Sequence, residues 1–172
     1  MKRLFILLIL WFCSIFQVSG QVQDSITVYV FLLEDCVISQ NYTLTLKKLH
    51  EQYAPKGIEF LGVFPNRISK ESTIEAFKQT YNLPFNMKYD YFQTLARRMN
   101  ATVTPEVVVF NHTNQTPLYQ GRIDNTYFRV GKRRQLTTTS ELADALEEII
   151  HQQPIAVKET PPIGCYILYE AN

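Results

Sequence analysis

The stretch that most constrains the fold is Val28-Tyr29-Val30-Phe31-Leu32-Leu33-Glu34-Asp35-Cys36. Six apolar or aromatic side chains without a turn former read as a buried strand, and beyond Glu34 and Asp35 the apolar spacing becomes helical. Ile38, Tyr42, Leu46, Leu49 and Tyr53 recur at steps of three and four, with Lys47, Lys48, Glu51 and Gln52 on other faces. This is an amphipathic helix of about four turns. Pro55-Lys56-Gly57 stops it, and Ile58-Glu59-Phe60-Leu61-Gly62-Val63-Phe64 follows as a second strand. A β-α-β unit in one sheet requires parallel strands and a right-handed crossover. Cys36 then stands at the strand-to-helix junction, where unpaired amide N–H groups and the positive end of the helix dipole favour thiolate over thiol.

Residues 1–20 are set aside as a leader. Lys2 and Arg3 precede the apolar residues 4–16, and Val18-Ser19-Gly20 supplies small residues for cleavage after Gly20. This is the pattern of a secretory signal peptide. The apolar run is short for a membrane span, so no span is expected in the mature chain. Cys13 has bulky Trp11 and Phe12 in front of it, which weighs against a lipid anchor. Removing Lys2 and Arg3 leaves 15 of the 17 basic residues against 16 acidic ones, a formal charge of −1. That balance carries no polycationic signal for nucleic acid or a membrane surface. The reading is of an exported protein, periplasmic or extracellular, of about 150 residues in a single domain.

The remaining chain alternates helix and strand signals. Residues 69–81 read as a helix with Ser69 as N-cap, Ser72 with Glu75 as a capping box, and Ile74, Phe77 and Tyr81 on its apolar face. A short strand is expected near residues 87–89 and a short helix over residues 92–99. Thr104-Pro105 opens the strand Glu106-Val107-Val108-Val109-Phe110, a place where proline is tolerated and cis peptides occur. Residues 112–117 are a turn and residues 118–121 an antiparallel return strand. Residues 123–138 lack periodicity, cluster Arg129, Lys132, Arg133 and Arg134, and are read as an insertion loop. Ser140 caps a helix over residues 140–152, whose buried face is Leu142, Ala145, Leu146, Ile149 and Ile150. The tail, residues 154–172, holds Pro161-Pro162-Ile163-Gly164-Cys165-Tyr166-Ile167-Leu168, too apolar for a free end.

The order β, Cys at a helix start, β, α, β, Thr-Pro, β-hairpin, α over residues 25–152 resembles the thioredoxin fold. It is most similar to the redoxin branch of thiol peroxidases and exported TlpA-like reductases. Phe31-Leu32-Leu33-Glu34-Asp35-Cys36-Val37-Ile38-Ser39 resembles the active-site turn of these proteins, and Val103-Thr104-Pro105-Glu106 the cis-proline loop that faces it. The resemblance implies a three-layer α/β fold with a central mixed sheet flanked by helices over residues 21–153, extended by the tail that carries Cys165. It implies thiol–disulfide exchange with protein thiols or a redox partner protein, and no cofactor. Two departures stand out. A dithiol enzyme of this kind carries a second cysteine where this chain has Ser39, and the residues that precede a peroxidatic cysteine are replaced by Leu32, Leu33 and their neighbours.

The candidate site residues are therefore Cys36, Cys165, Ser39, Thr104 and Pro105. Cys36 is a nucleophile or half of a structural disulfide. Cys165 is its resolving thiol or its permanent partner, the two differing in reduction potential. Ser39 is a plain first-turn residue or a hydrogen-bond donor to the Cys36 sulfur. Thr104 and Pro105 shape the backbone beside it. Arg122, Asp124 and Tyr127 are weaker candidates for the same end of the domain. His50, His112 and His151 show no metal-ligand spacing. A non-catalytic binding module with a Cys36–Cys165 staple is the rival reading. A Cu(I)-handling protein using both cysteines and a histidine is a third, against which stands the lack of a Cys-x-x-x-Cys.

Overall fold

The computed structural model describes residues 25–170, so the leader, its cleavage point and Cys13 lie outside the described residues. Strand β1 (Ile26–Phe31) is buried along its whole length. Helix α1 (Val37–Tyr53) follows, its buried positions including Ile38, Tyr42, Leu46, Leu49 and Tyr53 as the spacing predicts. A 3-10 turn over Ala54–Lys56 ends on Gly57 at φ 86°, a left-handed conformation natural to glycine. Strand β2 (Ile58–Phe64) then returns parallel to β1, with Ile26 opposite Ile58 and Phe31 opposite Val63.

Helix α2 (Glu71–Thr80) corrects the expected cap. Lys70 is the N-cap, and its backbone N–H donates to Thr73 Oγ1 at 3.0 Å. Ser69 is drawn away because its hydroxyl donates to Glu34 Oε2 at 2.5 Å. Strand β3 (Asn86–Tyr89) runs parallel to β2. Helix α3 (Thr94–Arg98) is shorter than expected, because the Asp90 carboxylate accepts the N–H groups of Leu95 and Ala96 and so places the first turn after Gln93. Strand β4 (Val103–Thr104) precedes a cis Thr104–Pro105 bond, and strand β5 (Glu106–Asn111) pairs antiparallel with β1. Strand β6 (Thr116–Gly121) begins two residues earlier than expected. Its Pro117 lies beside a register shift on the sheet edge, where a missing N–H is tolerated.

Residues 123–138 are not a plain loop. Strands β7 (Tyr127–Arg129) and β8 (Lys132–Arg133) form a separate two-stranded ribbon around Gly131. Helix α4 (Glu141–Ile150) has Ser140 as N-cap without a side-chain cap bond; Glu141 and Asp144 instead put negative charge on its first turn. In the tail, strand β9 (Cys165–Tyr166) pairs antiparallel with β4.

The five-stranded sheet runs β3-β2-β1-β5-β6 and is mixed. Alternation along β1 divides the core. Val28 and Val30 face α1, α2 and α4 through Tyr42, Leu46, Phe77, Leu142 and Leu146. Tyr29 and Phe31 face α3 and the tail through Ala96, Met99 and Ile167. These are the three expected layers, with the tail completing the second face. Among the described residues no helix is long and apolar enough to cross a membrane.

Candidate functional site: a cysteine pair joined across the chain

Cys36 is the N-cap of α1, with extended backbone at φ −83° and ψ 111°. Its carbonyl accepts the first helical bond from Gln40 N–H at 3.0 Å, and its side chain is 1% exposed. The first turn of α1 carries no acidic residue. Of the two acids just before it, Asp35 is exposed, and the Glu34 carboxylate accepts from the hydroxyls of Ser69 and Thr73 on and before α2.

Thr104, joined to Pro105 by the cis bond, faces this sulfur. Cys36 Sγ lies 3.2 Å from the carbonyl oxygen of Thr104, so a reduced Cys36 has an acceptor for its S–H. Across β4 and β9, Thr104 stands opposite Cys165, and its hydroxyl donates to the Cys165 carbonyl at 3.3 Å. Cys165 is disulfide-bonded to Cys36, with Cα atoms 6.3 Å apart, inside the span a disulfide bridges. Gly164 makes this approach possible: a Cβ there would stand 2.2 Å from the Thr104 carbonyl oxygen. Ser39 is fully buried, and its hydroxyl accepts the Leu33 N–H at 3.4 Å, tying the turn ahead of Cys36 to the first turn of α1.

Arg122, Asp124 and Tyr127 are engaged elsewhere. Arg122 forms an ion pair with Glu141. Burial pushes the Glu141 carboxyl up, but hydrogen bonds from Arg122 and Thr139 outweigh it and hold the group below its ordinary range. Asp124 accepts from the Tyr42 hydroxyl at 2.5 Å, and the Tyr127 hydroxyl accepts from Asn41 at 2.6 Å, so both brace α1. Among the described residues no group of three or more His, Cys, Asp or Glu side chains is placed to hold a metal ion.

The tail is held on both sides of Cys165. Upstream, it exchanges backbone bonds with Gln120 at Lys158 and Thr160, and the Thr160 and Tyr119 hydroxyls meet at 2.7 Å. Burial pushes the Tyr119 hydroxyl up to about 12, keeping it a neutral partner. Downstream, Ile167 N–H donates to the Thr102 carbonyl at 3.0 Å, Leu168 N–H donates to Asn66 Oδ1 at 3.0 Å, and Gln93 Nε2 donates to the Leu168 carbonyl at 2.7 Å. Glu106 fixes the other flank: its buried carboxylate accepts from Thr102 N–H at 2.7 Å and from Gln120 Nε2 at 2.7 Å. Asn66, Gln93, Glu106 and Gly164 were not expected as site residues. The partners of Asn66, Gln93 and Gly164 in the tail contacts are distant in sequence, and Glu106, though it lies in the cis-proline loop, reaches Gln120 across the sheet edge.

A helix-capping cysteine facing a cis-proline loop on a mixed sheet defines a thioredoxin-like protein. A family model described as thioredoxin-like matches residues 24–116, more than half of the chain, and the chain belongs to that family. The match includes Cys36, Ser39, Thr104 and Pro105 and ends before Cys165. A comparison with curated proteins finds no match. Among solved structures, an uncharacterized conserved protein from Geobacillus kaustophilus is similar at 24% identity and TM-score 0.76, over 88% of this chain and 81% of that one. A hypothetical protein from Sinorhizobium meliloti is similar at 18% identity and TM-score 0.75, over 87% and 82%. A protein from Chlorobium tepidum assigned as the thiol:disulfide interchange protein DsbE is similar at 15% identity and TM-score 0.54, over 76% and 80%. These likenesses establish the fold.

Proposed function

We propose that this chain is an exported thiol–disulfide oxidoreductase in which Cys36 is the attacking sulfur and Cys165, carried on the tail of residues 154–172, is the resolving one. The observation that carries this reading is the meeting of Cys36, at a helix N-terminus, with Cys165 on a strand laid beside Thr104 and the cis-Pro105 bond. In the reduced protein, the Cys36 thiolate attacks one sulfur of a partner's disulfide and expels the other as a thiolate. The deprotonated Cys165 then attacks Cys36 Sγ in the mixed disulfide, expels the partner's second thiolate and closes Cys36–Cys165. The partner gains two electrons and two protons, and the chain loses them. In reverse, one thiolate of a partner dithiol attacks Cys36 Sγ and expels Cys165 as a thiolate, and the partner's second thiolate then attacks the partner sulfur bonded to Cys36, closing the partner's disulfide and releasing Cys36 as the thiolate the helix stabilises. Thr104 and Pro105 shape the strand edge at which this happens, and Ser39 holds the turn. Export is supported by the leader pattern of residues 1–20.

The burial of Cys36 favours one rival, a permanent staple in a non-catalytic module. Equilibrating the protein in dithiothreitol and glutathione buffers and trapping its thiols separates the two. A reduction potential between about −120 and −270 mV, with reduced Cys36 alkylated by iodoacetamide well below the ordinary thiol pKa near 8.5, supports exchange. A potential below about −300 mV with ordinary or absent reactivity at Cys36 assigns the pair to the staple.

A further inference from the structure

The ribbon of β7 and β8 stands off the body of the protein. Every residue from Phe128 to Ser140 is exposed. Residues 127–140 hold Arg129, Lys132, Arg133 and Arg134 and no acidic residue, whereas the rest of the chain has 13 basic residues against 16 acidic ones. Among them Phe128 is 51% exposed, Val130 59% and Leu136 72%. This exposure does not come from a slack loop, because the root is clamped. Asn125 Oδ1 accepts the N–H of Thr138 at 2.9 Å, Arg134 N–H donates to the Thr126 carbonyl at 2.7 Å, and the Thr126 and Thr137 hydroxyls meet at 2.6 Å. The Arg134 guanidinium also lies over the Phe128 ring, 5.5 Å from its centroid. Among the described residues, Arg129, Lys132 and Arg133 have no ion-pair partner.

We infer that this ribbon docks the protein on an anionic phospholipid surface, with Phe128, Val130 and Leu136 entering the headgroup boundary and Arg129, Lys132 and Arg133 meeting lipid phosphates. Cations and apolar side chains intermixed on an exposed element match both requirements of interfacial binding, charge attraction and burial of apolar area. An acidic protein partner fits less well. A ribbon exposed on both faces would be covered by such a partner on one face only, and thirteen residues fall short of the roughly 20 to 30 a stable protein interface uses per side. A bilayer boundary surrounds the tip on all sides. The ribbon is rooted on α1 through Tyr127 and Asn41, so docking would hold the Cys36 end of α1 near the membrane.

The test is sedimentation of a chain beginning at Gln21, which keeps every described residue, with vesicles of phosphatidylcholine alone or with three parts in ten phosphatidylglycerol. At 50 mM salt the anionic vesicles are expected to bind at least tenfold more protein, with most of that binding lost at 0.5 M salt as the charges are screened. Replacing Arg129, Lys132 and Arg133 together by Gln should lower binding at least tenfold. Replacing Phe128, Val130 and Leu136 by Ser, with all cations kept, should lower it at least threefold. Melting temperature and the redox state of the cysteine pair should be unchanged in both, so the outcome is independent of the proposed exchange activity. Equal binding to both vesicles, or binding that survives both sets of substitutions, overturns the inference. Retention on immobilised poly-glutamate without vesicle binding would also overturn it and assign the ribbon to an acidic protein.

Discussion

Replacing Cys165 by Ser, or reducing the wild-type protein, opens a disulfide whose cysteines are 129 residues apart. In the chain-entropy treatment, a loop of that size removes about 16 to 17 cal/mol/K from the unfolded ensemble, or about 5 kcal/mol at 25 °C. A thermodynamic cycle links this to the redox chemistry. Whatever the disulfide adds to the stability of the fold, the fold must add to the stability of the disulfide. At about 30 mV per 1.4 kcal/mol, the native Cys36–Cys165 pair should be about 105 mV more reducing than the same pair in the unfolded chain. Urea unfolding of the oxidised and reduced proteins gives the first quantity. Glutathione equilibration in buffer and in 8 M urea gives the second. Both must agree, and the reduced protein should melt roughly 10 to 20 °C lower. A stability difference under about 1 kcal/mol, or a potential unchanged by unfolding, would refute the reasoning. Either result would mean that the native tail does not hold Cys165 against Cys36.

Three further outcomes follow from particular contacts. Gly164→Ala places a methyl group 2.2 Å from the Thr104 carbonyl oxygen, so β9 must move off β4; a loss of about 1 to 3 kcal/mol in urea unfolding is expected, and a neutral substitution would count against the close approach. Glu106→Ala leaves the buried N–H of Val103 and the Thr102 and Gln120 donors unmatched and should cost about 3 kcal/mol, whereas a cost under about 1 kcal/mol would show that water replaces the carboxylate. His50 packs its ring against Phe60 and Phe85 at 5.6 and 5.7 Å, and burial holds its pKa below the ordinary value. Protonation then favours the unfolded chain, so stability is complete above about pH 6.5 and falls as pH drops toward the folded value. His50→Leu should flatten that decline, and an unchanged slope would assign the decline to other groups.

How much of this was legible in the chain depended on the range of the interaction. The β1-α1-β2 unit was readable because alternation at Val28 to Phe31 and the three- and four-residue steps from Ile38 to Tyr53 are local periodicities that tertiary packing reinforces. Thr104 and Pro105 were readable because proline restricts the local backbone. The α2 cap was misassigned because the Ser69 hydroxyl is taken by Glu34, 35 positions away, a partner no local rule can supply. The β7-β8 ribbon was missed because strands of three and two residues are too short to show a period. The cluster of Arg129, Lys132, Arg133 and Arg134 was legible in the sequence, but its placement on an exposed ribbon was not. The two-residue pairing of β9 with β4 was beyond reach for the same reason, although the apolar run around Ile163 and Ile167 signalled that the tail is ordered.

That pairing changes what the absence of a cysteine at position 39 means. In a Cys-x-x-Cys turn, both sulfurs sit on one helical turn, and their encounter is guaranteed by local geometry. Here Ser39 is used to brace Leu33, and the second sulfur arrives from the far end of the chain, so the encounter depends on how firmly the tail is held when the bond is open. The bonds at Thr160, Ile167, Leu168 and Gln93 are noncovalent and do not require the disulfide. Each net contribution of about 0.5 to 1.5 kcal/mol is small, but several acting together on both sides of Cys165 keep its thiol near Cys36 at a high effective concentration. Weakening the downstream anchor alone, by Gln93→Ala, should therefore slow reclosure of the reduced pair in a fixed glutathione buffer and shift its potential upward. The shift should be present in buffer and absent in 8 M urea, where the anchor does not exist. A potential in buffer that ignores Gln93 would mean that the upstream anchor at Thr160 suffices by itself to present Cys165.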